Sequence, residues 1–281
     1  MTTAGAAARA LAERFAAAGI DTARLDARLL VAEVLGVAPD RVALAPEAPL
    51  TAPQAARLSG LADRRAAREP MSHILGRRGF WTLNLKVTAD TLDPRGDTET
   101  LVEAVLRRIP DRAAPLKLVD FGTGTGAIVL ALLSELPNAT AIAVDKSPAA
   151  LEVARENAIT HGLASRLRLV LSDWGAALDE RADVIVSNPP YIPDQDIDGL
   201  EPEVAAYEPR LALAGGADGL ECYRQLVPQI ARLLVTGGLA AVEVGAGQAA
   251  SVAELFRAAG LREVALERDL GGVDRCVVGT A

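Results

Sequence analysis

From residue 116 onward the chain alternates strand-length apolar runs with helix-length segments, and that rhythm leaves few architectures open. Strands are expected at 116–121, 141–145, 167–171, 184–187 and 239–244. Helices are expected between them at 127–136, 148–161, 223–234 and 249–259. Runs at 264–266 and 275–278 read as two closing strands. Strands that alternate with helices pair in parallel and place the helices on both faces of one sheet. The expectation is an α/β fold with a seven-stranded, mostly parallel sheet.

The first 75 residues read differently. Leu25, Leu29 and Ala32 recur at helical spacing with Leu30 and Val34 beside them, and Gly36 stands where a helix C′ residue belongs. Thr51 with Gln54 three residues later is a capping-box pattern, followed by Leu58 and Leu61. Pro70 reads as the stop of that helix. Residues 1–75 hold nine arginines against eight acidic residues, whereas the whole chain is acidic at −8. Phe80, Leu83, Leu85 and Val87 then suggest a short β-hairpin. A further helix begins at Asp97-Thr98-Glu99 and runs through Leu101, Val105 and Ile109. The expected division is a helical domain over 1–75, a hairpin linker over 76–96 and the α/β domain over 97–281.

Composition narrows the function. Half the residues are hydrophobic, which excludes disorder as the dominant state. A net charge of −8 argues against binding nucleic acid by bulk electrostatics. Two cysteines and two histidines are too few for a disulfide framework or a Cys/His metal cluster, so no metal is expected. Arg9, Glu13 and Arg14 interrupt the Ala-rich start before a leader's apolar region could form. The longest run free of charge, 121–134, holds three glycines and is too short for a bilayer. A soluble cytoplasmic protein, monomeric and without membrane or nucleic-acid partners, is expected.

Asp120-Phe121-Gly122-Thr123-Gly124-Thr125-Gly126 ends the first α/β strand and opens its helix. Alternating glycines there allow a tight turn and close approach of backbone to a ligand. With Ala127 the segment fits the dinucleotide pattern G-x-G-x-x-A; as acid-x-G-x-G-x-G it fits binding of S-adenosylmethionine. The loop alone leaves both open. Asp145, ending the next strand, is placed to accept hydrogen bonds from ribose hydroxyls, which either ligand carries. Asp173 and Trp174 end the third strand, where Trp174 would offer a flat apolar wall and Asp173 could reach an adenine amine.

Asn188-Pro189-Pro190-Tyr191 follows the strand over 183–187 and faces the same crevice, beyond the carboxyl ends of the strands. Two prolines fix their own φ and hold Asn188 out of the helical region. The Asn188 side-chain oxygen and the Pro189 carbonyl then form a rigid acceptor pair suited to a planar NH₂ group, on which Tyr191 could stack. This combination resembles the amino-methyltransferases that methylate a planar conjugated nitrogen. Within them the chain resembles the HemK/PrmC family of protein-(glutamine-N5) methyltransferases. Ile74-Leu75-Gly76, Gly79-Phe80-Trp81, Pro94-Arg95, Asp97-Thr98-Glu99, Tyr207-Glu208-Pro209 and Asp274-Arg275 fall in that family's order as well. Asp93 and Gly96 depart from it, where an apolar residue and a second proline are usual.

The resemblance implies a class I S-adenosylmethionine-dependent, Rossmann-like methyltransferase with a small helical substrate-docking domain. Its acceptor would be the glutamine of the Gly-Gly-Gln loop of class 1 peptide chain release factors. Asn188 and Pro189 would be catalytic, and Asn188 to Tyr191 would bind the substrate. Asp120, Gly122 to Gly126, Asp145, Asp173, Trp174 and Asn188 would bind the methyl donor. Rival readings are a glutamine methyltransferase of a ribosomal protein, a DNA amino-methyltransferase, a non-catalytic binding module and a nicotinamide dehydrogenase. The DNA enzyme should carry a basic cleft and a recognition domain, and the dehydrogenase a proton-transfer residue near a strand end; neither feature is apparent.

Overall fold

The computed structural model describes residues 2–281. It divides into two compact units: residues up to Gly76 together with Glu201–Tyr207, and Arg77–Leu200 together with Glu208–Ala281.

The smaller unit is helical: α1 (Ala4–Ala17), α2 (Ala23–Leu35), α3 (Pro39–Leu44), α4 (Ala52–Ala66) and α5 (Met71–Leu75). Gly36 ends α2 with φ of 67°, and Thr51 with Gln54 forms the expected capping box on α4. Two expectations need correction. Leu25 is exposed, and α2 buries Ala23, Asp26, Ala27, Leu30 and Val34 instead. The buried face is offset from the leucine stripe because it carries an ion pair: Asp26 accepts from Arg65 Nε at 2.8 Å. Arg65 also holds Glu203 at 2.9 Å, which ties the short helix α9 (Pro202–Ala205) into this unit. Pro70 does not stop α4. The helix ends at Ala66, Arg68 takes φ of 70°, and Pro70 caps the start of α5.

The larger unit opens with an antiparallel hairpin of β1 (Arg77–Phe80) and β2 (Leu83–Lys86). Its Phe80, Leu83 and Leu85 join the core beneath α6 (Glu99–Arg108) rather than spanning an open linker. Then follow β3 (Lys117–Phe121), α7 (Ala127–Glu135), β4 (Thr140–Asp145), α8 (Pro148–Thr160), β5 (Leu167–Leu171) and β6 (Ala182–Ser187). The chain closes with α10 (Glu221–Leu233), β7 (Leu234–Glu243), α11 (Ala249–Ala258), β8 (Arg262–Arg268) and β9 (Asp274–Thr280).

One sheet holds seven strands in the order β5-β4-β3-β6-β7-β9-β8. Strands β3 to β7 are parallel, and β9 inserts antiparallel between β7 and β8. Apolar clusters cover both faces, with α6 and α7 in one and α10 and α11 in the other. Winding runs outward from β3 to β5 and then returns to place β6 on the other side of β3. That reversal opens a crevice at the carboxyl ends of β3 and β6, where ligands of open α/β sheets bind.

Candidate active site

Phe121 on β3 pairs with Ser187 on β6, and the Ser187 hydroxyl donates to the Phe121 carbonyl at 2.7 Å. Gly122 and Asn188 are the next residues on each strand. Two motifs 66 positions apart in the chain therefore leave neighbouring strands at the reversal point.

The glycine loop needs its glycines for a conformational reason. Gly122, Gly124 and Gly126 have φ of 69°, 54° and 83°, the left-handed region that costs other residues energy. The Gly122 and Thr123 N–H groups donate to the Val144 carbonyl at 2.8 and 3.0 Å. From beneath, the Asp120 carboxylate accepts from the Thr123 hydroxyl at 2.7 Å. Asp120 is fully buried, and that burial pushes its carboxyl up to about 7 against the Thr123 hydrogen bond. On the far side, Asn157 of α8 donates to the Thr125 carbonyl at 2.9 Å. Asp145 completes the frame: Oδ2 accepts from the Gly124 N–H and Oδ1 from the Ser147 N–H, both at 2.9 Å.

A cavity of about 460 Å³ opens above this frame. Gly122, Thr123, Gly124, Thr125, Asp145, Asp173, Trp174, Asn188 and Pro190 all line it. Trp174 is held in a left-handed conformation, φ 47°, with its indole N–H 3.3 Å from Gln225 Oε1. Four residues named from the sequence are not part of the wall. Asp120 lies under the loop. Gly126 is the N-cap of α7, where an added Cβ would come within 3.1 Å of Leu130. Pro189 is buried, and Tyr191 packs its ring against the core and donates its hydroxyl to Glu243 Oε1 at 3.3 Å. Tyr191 thus supports the loop from behind, where sequence reasoning expected a stacking surface.

Sequence reasoning missed three supports. Thr98 lines the cavity and accepts from Asn188 Nδ2 at 3.2 Å, which leaves Asn188 Oδ1 as that amide's acceptor. Glu243, deeply buried at the end of β7, is pushed up to about 7 by burial, while Thr98, Arg275 and Tyr191 favour its charged form. Glu208 accepts from the Asp93 N–H at 3.2 Å and from Arg95 at 3.3 Å, and burial raises its carboxyl to about 7. This clamp holds the wall over residues 89–95, so Gly96 costs the loop less order than a missing proline suggests. Thr98 and Glu208 stand in the family pattern without a role, and nothing in the sequence points to Glu243. Residues far apart in the chain meet here, and spacing carries no trace of that.

Family models match the two parts separately: a PrmC N-terminal domain over residues 6–76 and a methyltransferase small domain over 90–201. A release factor glutamine methyltransferase of Caulobacter vibrioides is 47% identical over 268 residues, covering 95% of this chain and 92% of that protein. One from Cereibacter sphaeroides is 49% identical over 270 residues, covering 96% and 95%. Among solved structures, a methyltransferase from Pyrococcus furiosus superposes with a TM-score of 0.53 at 18% identity, covering 78% of this chain and 98% of that one. That likeness concerns the fold. Among the described residues, no helix is long and apolar enough to cross a membrane.

Proposed function

We propose, from the premise that this chain belongs to the release factor glutamine methyltransferase family, that it methylates the side-chain amide nitrogen of a glutamine in a protein substrate. The methyl donor would be S-adenosylmethionine, and the acceptor the glutamine of the Gly-Gly-Gln loop of class 1 release factors. The observation that carries the chemistry is the tethered Asn188 amide beside the glycine loop. One of its two N–H bonds is held by Thr98, which orients the amide, and its oxygen is the acceptor for an incoming NH₂ donor.

The residues fit the donor. Two left-handed glycines, Gly122 and Gly124, expose backbone to the cavity, and nothing lies within 4 Å of a Cβ placed on Gly124. Each Asp145 oxygen has one backbone hydrogen bond and keeps acceptor capacity for a ribose. Trp174 offers an apolar face to an adenine ring. When bound, S-adenosylmethionine supplies an electrophilic methyl on a sulfonium whose charge disappears on transfer.

The protein's share of the work is orientation. An amide nitrogen is a poor nucleophile because its lone pair is delocalised into the carbonyl. Asn188 Oδ1 would accept from one of its N–H bonds, fixing the nitrogen in line and leaving its lone pair more available. Pro189 is assigned the second acceptor, its backbone carbonyl. No general base is required before transfer, since the nitrogen becomes acidic only once alkylated. The helical unit would dock the protein substrate, in the cytoplasm. Incubation with labelled S-adenosylmethionine and either a release factor or ribosomal proteins, followed by mass spectrometry, tests the reading. Label on the release factor glutamine supports it; label only on a ribosomal protein replaces the substrate; no label on any glutamine refutes it.

A further inference from the structure

Ser187 on β6 lies opposite Val242 on β7, so Asn188 and Glu243 are the next residues along two adjacent strands. Thr98, in the 3₁₀ turn Gly96–Thr98 that leads into α6, bonds Asn188 and lies beside Glu243. Asn188 Nδ2 donates to Thr98 Oγ1 at 3.2 Å, and the Thr98 hydroxyl in turn favours the ionised form of Glu243. Tyr191 donates to Glu243 Oε1 at 3.3 Å, while the buried Oε2 has no hydrogen-bond partner and keeps acceptor capacity for a hydroxyl.

The chemistry of these groups gives the chain a direction. An ionised carboxylate only accepts, so Thr98 must spend its single proton toward Glu243. Its lone pairs then face Asn188, which must answer with its NH₂ group. A Thr98 proton turned the other way would bond Asn188 Oδ1, flip the amide and point NH₂ at the cavity. Two NH₂ groups would then oppose each other, and the acceptor glutamine would lose its anchor.

We infer that Glu243, acting through Thr98, sets which end of the Asn188 amide faces the acceptor glutamine. Thr98 and Glu243 are positioning residues, and their role rests on the function proposed above. Groups from every neighbouring element surround Glu243. Asp97 and Thr98 come from the 3₁₀ turn, Tyr191 from the loop after β6, Arg275 and Cys276 from β9, and Tyr223 from α10. The Tyr223 hydroxyl donates to the Glu243 backbone carbonyl at 2.9 Å, and Arg275 pairs with Asp97 at 3.1 Å and with Asp269 at 3.2 Å. Burial brings Glu243 up to about 7, so it titrates near neutrality. Protonated, it becomes a donor that lets the chain reverse, and turnover should fall as pH drops through that value.

The test compares Thr98→Val, Thr98→Ser and Glu243→Gln in the full chain. Loss of amide alignment in Thr98→Val should lower kcat on the release factor by about 10²-fold. Its calorimetric affinity for S-adenosylmethionine should be unchanged, and Thr98→Ser should recover most of the loss. The parent should lose kcat below about pH 7, and Glu243→Gln should be slow with that acid limb gone. In ¹⁵N spectra of the parent, the Asn188 side-chain NH₂, assigned by its loss in Asn188→Asp, should exchange slowly with solvent. It should exchange fast in Thr98→Val, a readout that needs no turnover. Parent-like kcat in Thr98→Val, no recovery by serine in a folded protein, or an acid limb that persists in Glu243→Gln overturns the inference. Should Glu243→Gln fail to fold, the Val and Ser pair decides. A parent that leaves the release factor glutamine unmodified refutes the functional reading instead, while the NH₂ exchange result stands on its own.

Discussion

Asp145 is both a frame element and a proposed ligand contact, and the two roles can be separated. Its carboxylate accepts the Gly124 and Ser147 N–H groups at 2.9 Å each, and the residue lines the cavity. Asp145→Ala deletes two charge-assisted hydrogen bonds and any bond to the ribose. Hydrogen bonds to a charged group are worth about 1.5–3 kcal/mol, and partial exposure at Asp145 places the whole stability loss in that range rather than at twice it. A ribose contact of the same strength corresponds to about 10- to 150-fold in the dissociation constant of S-adenosylmethionine. Asp145→Asn is isosteric but sets an NH₂ group against one of the two backbone donors, so it should lose nearly as much as alanine.

Titration calorimetry gives the affinity, and thermal unfolding without ligand checks that the variant is folded. Asn157→Ala is the control. It frees the Thr125 carbonyl from α8 and unties the Lys86 backbone, while Asn157 itself is buried outside the cavity wall and offers a ligand no contact of its own. Direct contact predicts a large affinity loss for Asp145→Ala and a small one for Asn157→Ala. Unchanged affinity in Asp145→Ala removes the residue from the site. Equal losses in both variants would mean that Asp145 supplies loop order alone.

Gly126→Ala should destabilise the protein by about 1–2 kcal/mol or more in urea unfolding, from the left-handed φ of 83° and the Leu130 contact at 3.1 Å; no change would show that the α7 N-cap relaxes freely. Asp120, Glu208 and Glu243 all have folded-state pKa values raised to about 7 from 3.8, 4.5 and 4.5. A raised carboxyl favours the fold when protonated, so this contribution is full below about pH 4 and is lost as pH rises through about 7. Melting temperature should therefore fall more steeply between pH 5 and 8 in the parent than in Asp120→Asn, and parallel curves would remove Asp120 from the account. Asn188→Ala should bind S-adenosylmethionine but turn over about 10²-fold more slowly, with Asn188→Asp between it and the parent. Equal turnover in all three would mean that Asn188 does not hold the acceptor amide.

The sequence by itself determined the strands of the main sheet, the helices between them and the motifs at their ends. The α/β rhythm predicted every parallel strand, because strand length and apolar content are local properties. The three alternating glycines announced left-handed backbone, because φ preference is a property of single residues. Pairing was not legible in the same way. That β6 returns beside β3, and that β9 inserts between β7 and β8, follows from burial of whole faces and leaves no mark on neighbouring residues. The same limit explains the misread positions. Leu25 belongs to the helical repeat yet lies outside the core, because the distant Arg65 lets Asp26 occupy the buried face. Tyr191 looked like a cavity wall because its neighbour Asn188 is one. Only the fold supplies Glu243, 52 positions on, to draw its hydroxyl inward. Motif chemistry is written in consecutive residues. The direction of a hydrogen bond inside the site is decided by a buried charge that only the tertiary structure brings there.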